Sequence, residues 1–218
     1  MLDRTLRRLI DPLLEPLASL LVSARVSATT ITLTGFLAGL LAAGAAARQF
    51  WMTAAALILF NRLCDGLDGM VARRTGITDR GGFLDIVLDI VFYGAVPLGF
   101  GLSDPRNLLP AAALLHSFLG TSGSFLAWAA IAAKRGPLDD WDGRKSLEYS
   151  AGLMEGSETI LFFLAFCLLP SAFVPLAWTF CGLCWLTTLL RIRLGLRHFT
   201  AAQPAPSAQR ENSPRHID

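Results

Sequence analysis

Charge is scarce in this chain. Asp, Glu, Lys and Arg make up 17% of its 218 residues, 53% are apolar, and mean hydropathy is +0.51. That balance leaves too little polar surface for an ordinary water-soluble domain. Alternation of apolar and polar residues is also missing, and the apolar residues come in continuous runs, which argues against a β-barrel. A cleavable leader is not indicated. The opening MLDRTLRRLIDPLLEPLASLL lacks a clean apolar core with a cleavage site, and Pro12 and Pro16 break it. Histidine is rare, with three residues, and cysteine nearly so, with four. Cys64, Cys167, Cys181 and Cys184 all fall in or beside apolar runs. Cys181 and Cys184 make a CxxC without a second pair or a His partner, so they read as buried small apolar residues, not a metal or redox centre.

What is present is membrane-like. Apolar runs cover Thr29 to Ala47, Trp51 to Phe60, Val91 to Leu102, Leu108 to Ala133, Thr159 to Leu169 and Ala172 to Leu190. A spanning helix needs roughly 20 mostly apolar residues. The second, third and fifth runs reach that length only with flanking polar residues counted in. The expected fold class is therefore all-α, a polytopic membrane protein with six transmembrane helices and an N-terminal amphipathic interfacial helix. Residues 1–26 form the interfacial segment, basic and suited to an anionic leaflet; a frayed terminus is the plainer alternative. Residues 27–199 form the six-helix transmembrane domain. Residues 200–218, rich in Pro, Ser and Ala, read as a disordered cytoplasmic tail.

Basic residues set the orientation. With the N-terminus inside, sixteen of nineteen Lys and Arg lie on the cytoplasmic side; only Arg48 and Arg106 lie opposite, and Arg62 sits within a span. The expected place is a bacterial inner membrane, and the lipid bilayer itself is one partner. No nucleic-acid partner is expected.

Against this background, CDGLDGMVARRTGITDRGGFLDIVLD (residues 64–89) concentrates five aspartates, three arginines and five glycines. Ionisable residues at such positions are costly and usually functional. Asp65 and Asp68 are i and i+3 on the second span, and Asp85 and Asp89 are i and i+4 on the third, which is expected to begin near Phe83. A turn with Gly76, Asp79, Gly81 and Gly82 joins them. Four converging carboxylates repel one another unless a cation compensates them. Oxygen-only ligands favour Mg²⁺ or Mn²⁺, the usual partners of a phosphate or pyrophosphate. Gly66 and Gly69 leave a bare helix face for close approach, and Arg73 offers a planar fork to phosphate oxygens. A purely structural alternative neutralises Asp65 and Asp68 with Arg62 and Arg73, but leaves Asp85 and Asp89 over. An EF-hand is excluded, since the required ligand positions and terminal Glu are missing.

These residues resemble the signature of the CDP-alcohol phosphotransferases, D-x2-D-G-x2-A-R followed by G-x3-D-x3-D. All eight named positions are present: Asp65, Asp68, Gly69, Ala72, Arg73, Gly81, Asp85 and Asp89. The spacer between Arg73 and Gly81 is one residue shorter than the pattern, in a turn where deletion is tolerated. The resemblance implies a CDP-linked donor, typically CDP-diacylglycerol, that loses CMP as an alcohol acceptor attacks the lipid-bound phosphorus. It further implies that Asp65, Asp68, Asp85 and Asp89 hold Mg²⁺ or Mn²⁺, as two ions, with Asp89 also the general base. Asp65, Gly66, Asp68, Gly69, Ala72, Arg73 and Gly81 would receive the CDP moiety. A homodimer is implied as well.

Other polar residues carry weaker signals. Glu155 and Glu158 share a face of the fifth span near Glu148, where they suit an acceptor's hydroxyls or simply pair with Lys134, Arg135, Arg144 and Lys145. The loop with Asp139, Asp140, Trp141 and Asp142 reads as a solvated interfacial turn. His116 reads as a hydrogen-bonded bundle histidine. Gly35 and Gly39 form a GxxxG, a candidate packing seam. Two other classes compete with an enzyme. A carboxylate-based ion- or proton-coupled transporter would place its carboxylates near mid-membrane and often show an inverted repeat; these cluster at one face, and no repeat is visible. A non-catalytic paralogue would have lost an aspartate, and none is lost.

Overall fold

The computed structural model describes residues 2–135 and 156–199. The chain runs through α1 (Leu2–Ser23), α2 (Ala28–Ala47), α3 (Trp51–Thr75), α4 (Asp79–Ser103), a 3-10 turn (Pro105–Asn107), α5 (Leu108–Arg135), α6 (Gly156–Leu168), a second 3-10 turn (Pro170–Ala172) and α7 (Phe173–His198). No strand occurs among the described residues. Among the described residues, four stretches are long and apolar enough to cross a membrane: Ala28–Ala47, Asp79–Ser103, Pro105–Lys134 and Pro170–His198. The protein is therefore an integral membrane protein. α3 has the length, with 25 residues, but its second half carries the charged motif; α6 is apolar but only 13 residues long.

Local chemistry sets the helix ends. Ser27 caps α2, its Oγ accepting from the Thr30 amide at 3.1 Å. Gly76, at φ 116°, ends α3, a conformation that side chains resist. Thr78 then caps α4, its Oγ1 accepting from the Gly81 amide at 3.1 Å. This cap starts α4 at Asp79, four residues before the expected Phe83, so Asp79, Gly81 and Gly82 belong to the helix rather than the turn. A second correction concerns α1, which runs unbroken through Pro12 and Pro16. Both prolines are exposed, so the missing amide bonds fall on the outer side of the helix.

Two clusters hold the bundle. The larger is aromatic, with Phe92, Phe100, Phe163, Phe166, Phe173 and Phe180 fully buried. Phe100 near the end of α4 stacks on Trp51 at the start of α3 (5.2 Å) and on Phe173 at the start of α7 (5.1 Å). The smaller cluster packs Ala18 of α1 and Ile31 of α2 against Cys64, Leu67, Met70 and Val71 of α3. α1 is further tied to α3 by an ion pair between Arg74 and Glu15, and by a hydrogen bond from Arg74 to Ser19 at 2.8 Å.

The seam of Gly35 and Gly39 lies inside the chain. A Cβ at Gly35 would stand 2.6 Å from the Cys64 Cβ, and one at Gly39 would stand 2.4 Å from the Phe92 ring. On α4, a Cβ at Gly99 would stand 2.3 Å from the Ala43 carbonyl oxygen. These bare positions let α2 lie directly on α3 and α4, and that contact brings the two acidic helices within reach of one another.

Candidate active site

One cavity is lined by Thr32, Gly35 and Phe36 of α2, by Asn61, Arg62, Asp65 and Asp68 of α3, and by Asp85, Leu88, Asp89 and Phe92 of α4. All four motif aspartates thus face the same space, two from each antiparallel helix, as the i, i+3 and i, i+4 spacings require. Asp68 is buried. Asp65, Asp85 and Asp89 are half-buried.

Each helix contributes a restraint. Thr32 donates its hydroxyl to Asp68 Oδ2 at 2.6 Å. Asn61 donates to the Gly35 carbonyl at 2.8 Å and accepts from Arg62 Nε at 2.8 Å. Arg62 extends across the cavity, placing Nη2 2.6 Å from Asp89 Oδ1 and Nη1 3.6 Å from Asp65 Oδ2. Its Nη1 also donates to the Tyr93 hydroxyl at 3.2 Å. The guanidinium carbon lies 4.8 Å from the centre of the Phe92 ring and 5.5 Å from that of Tyr93. These contacts offset the loss of water around a cation held at 18% exposure.

Arg62 pairs with Asp65, as the purely structural reading expects, and also reaches beyond its own helix. Its short ion pair is with Asp89 on the neighbouring helix, and its contact with Asp65 is the longer one. A fork long enough to bridge two helices gains more from two carboxylates than from a single i, i+3 neighbour.

The remaining motif residues lie outside this cavity's lining, and Arg73 lines a second hollow between α1 and α3 with Asp11, Glu15 and Met70. Arg73 is exposed, and its Nη1 lies 3.3 Å from where a Gly69 Cβ would stand, so its side chain folds over the bare glycine. Gly66 faces Leu14 of α1, whose Cδ1 would lie 3.1 Å from an added Cβ. Ala72 is half-buried, and Gly81 lies in the first turn of α4 against its Thr78 cap.

The donor set is oxygen only, which suits Mg²⁺ or Mn²⁺. No three acidic, His or Cys side chains among the described residues form a ready-made cage. The carboxylates face one cavity, but Thr32 and Arg62 already engage oxygens of Asp68, Asp65 and Asp89.

Thr32, Asn61 and Tyr93 escaped the sequence reading. Their signals were faint but present. Thr32, Gly35 and Gly39 follow i, i+3, i+7 on one face of α2, and Tyr93 lies four residues beyond Asp89 on the acidic stripe. His116 is exposed on α5 and tilts against Trp185 of α7 at 5.3 Å. All four cysteines are buried and free. Glu158 is half-buried in the first turn of α6. Glu148, Glu155, the Asp139–Asp142 loop and the 200–218 tail lie outside the described residues.

A helical membrane bundle with a carboxylate-lined cavity beside a helix–turn–helix suits divalent-cation and phosphate chemistry, and the comparisons give the class. The CDP-alcohol phosphatidyltransferase family profile matches residues 17–190, and the chain belongs to that family. It is 49% identical to inner membrane protein YnjF of Escherichia coli (strain K12) over 147 residues, covering 67% of this chain and 71% of that protein. In fold it resembles the phosphatidylinositol phosphate synthase PgsA1 of Mycobacterium tuberculosis. The structure with CDP-DAG bound superposes with a TM-score of 0.70 at 21% identity, covering 87% of this chain and 97% of that one. The apo form gives 0.61 at 22% identity, covering 87% and 100%.

Proposed function

We propose that the protein transfers a phosphatidyl group from CDP-diacylglycerol to the hydroxyl of an alcohol acceptor, releasing CMP. The carrying observation is the convergence of Asp65, Asp68, Asp85 and Asp89 on one cavity between α3 and α4. Family membership and a like-folded synthase with CDP-DAG bound support the donor.

In this reading Asp65, Asp68, Asp85 and Asp89 hold two Mg²⁺ or Mn²⁺ ions. Such ions, when bound, neutralise charge on the diphosphate and polarise the phosphorus. Arg73, lying over the bare Gly69, takes phosphate oxygens with its fork, while Gly66, Ala72 and Gly81 line the approach of the cytidine. Asp89 receives the acceptor's hydroxyl proton as the new oxygen–phosphorus bond forms and the bond to CMP breaks. Thr32 fixes Asp68, and Asn61 fixes Arg62, so these carboxylates are held before substrate arrives.

The same reading places six helices across the membrane by adding α3 and α6 to the four apolar stretches, with α1 lying in the interface. It keeps 1–26, 27–199 and 200–218 as interfacial segment, catalytic domain and cytoplasmic tail, and it takes the protein as a homodimer. The relative YnjF is an inner membrane protein, and the basic asymmetry turns the α3–α4 turn to the cytoplasm.

Purified protein with CDP-diacylglycerol, Mg²⁺ or Mn²⁺ and a panel of alcohols is expected to release CMP with at least one acceptor. Chelation with EDTA is expected to stop release and added metal to restore it. Asp89→Asn is expected to lower it by about 100-fold or more, the scale of a lost general base. No release with glycerol 3-phosphate, inositol phosphate, inositol, serine or a lipid-derived alcohol rejects this donor. Full activity in Asp89→Asn rejects the base while leaving the metal ligands standing.

A further inference from the structure

A cation is already built into the acidic cavity. Arg62 reaches between two carboxylates that come from different helices, at 2.6 Å from Asp89 and 3.6 Å from Asp65. Its placement is overdetermined. Asn61 holds Nε, and is itself anchored to the Gly35 carbonyl; the Phe92 and Tyr93 rings flank the guanidinium. On the other side of the cavity Asp68 has a neutral partner, the Thr32 hydroxyl, on one of its oxygens. A neutral donor leaves the charge of Asp68 uncompensated, whereas the guanidinium compensates Asp89 directly. The two halves of the cavity are therefore unequal as cation sites.

We propose that Arg62 is a resident counter-cation that competes with divalent metal for Asp89 and Asp65, so that the cavity takes one ion readily and a second only as Arg62 gives up its pair. Arg62 is a positioning residue in this scheme, setting the metal occupancy of the carboxylates rather than touching the reacting atoms. Arginine suits the task because its charge is permanent and its fork spans two acceptors. The inference rests on the metal-site reading above.

The test is Mn²⁺ binding to the full-length protein in detergent micelles without lipid substrate. Free Mn²⁺ is measured by electron paramagnetic resonance. Wild type is expected to show one tighter and one weaker ion. In Arg62→Met the weaker ion is expected to bind about tenfold or more tightly, as removal of a direct charge partner implies. Arg74→Met removes an equal charge that is pinned to Glu15, and is expected to leave both affinities within about twofold, since exposed charge is screened. Unchanged binding in Arg62→Met overturns the proposal, and so does an equal gain in Arg74→Met, which would reduce Arg62 to a general field. If Arg62→Met folds only when purified with Mn²⁺, the metal has replaced the missing cation and the proposal stands. If it folds neither with nor without Mn²⁺, Arg62 is a structural strut and the proposal falls. A wild type that binds no Mn²⁺ rejects the metal site itself, and CMP release by that same protein shows whether the transferase reading survives.

Discussion

Thr32 reaches from α2 to fix one oxygen of Asp68 at 2.6 Å. Hydrogen bonds to a charged acceptor contribute about 1.5–3 kcal/mol. Thr32→Val keeps the shape and removes the donor, so CMP release is expected to fall by about tenfold and thermal unfolding in detergent to come earlier, since a buried carboxylate loses a partner. Wild-type rates in Thr32→Val would show that Asp68 needs no such anchor. The four aspartates themselves were legible because their spacings fix which helix face they share. Thr32, Asn61 and Tyr93 were not, since each acts through a partner on another helix, and spacing within one helix says nothing about which face a neighbour presents. Arg62 was visible as an expensive residue in a span, and its pair with Asp65 on its own helix was legible, but not its reach to Asp89 on the next.

The elements were mostly legible as apolar runs. Each of the six runs became the body of one helix. Their ends were less so, because caps decide ends: Thr78 pulls α4 back to Asp79, and the motif carries α3 on to Thr75. Proline misled the reading of α1 because its penalty depends on which side of the helix loses the amide bond, and both prolines lie on the exposed side. The GxxxG was legible as a seam but not its partner, which is α3 and α4 of the same chain. Gly44 of the same helix meets nothing within 4 Å, so it is a built-in control. Gly39→Leu is expected to destabilise the bundle by about 3 kcal/mol or more through overpacking. Gly44→Leu is expected to be nearly neutral. Melting of the two purified proteins in the same detergent checks this, and equal melting temperatures would move the seam elsewhere.

At the scale of the whole molecule, the proposed orientation turns the α3–α4 turn and the 3-10 turn after α4 to opposite sides of the bilayer. Ile77 in the first is 77% exposed, and Pro105 in the second is exposed. The four native cysteines are buried and give little background to a thiol reagent. A membrane-impermeant maleimide is expected to label Ile77→Cys only in inverted vesicles, and Pro105→Cys only in right-side-out ones. The reverse pattern would turn the protein over.

The stacked rings of Trp51, Phe100 and Phe173 sit at the ends of α3, α4 and α7 that lie a full helix length from the motif turn. Flat aromatic faces in contact resist sliding, so the helices are riveted there. At the other end they meet across a cavity bridged by a few side-chain bonds. α3, α4 and α7 are thus joined by ring stacking at one end and, for α3 and α4, by polar side chains across a cavity at the other. In the proposed reaction the two-tailed donor enters at the cavity end, and the aromatic joint stays as it is.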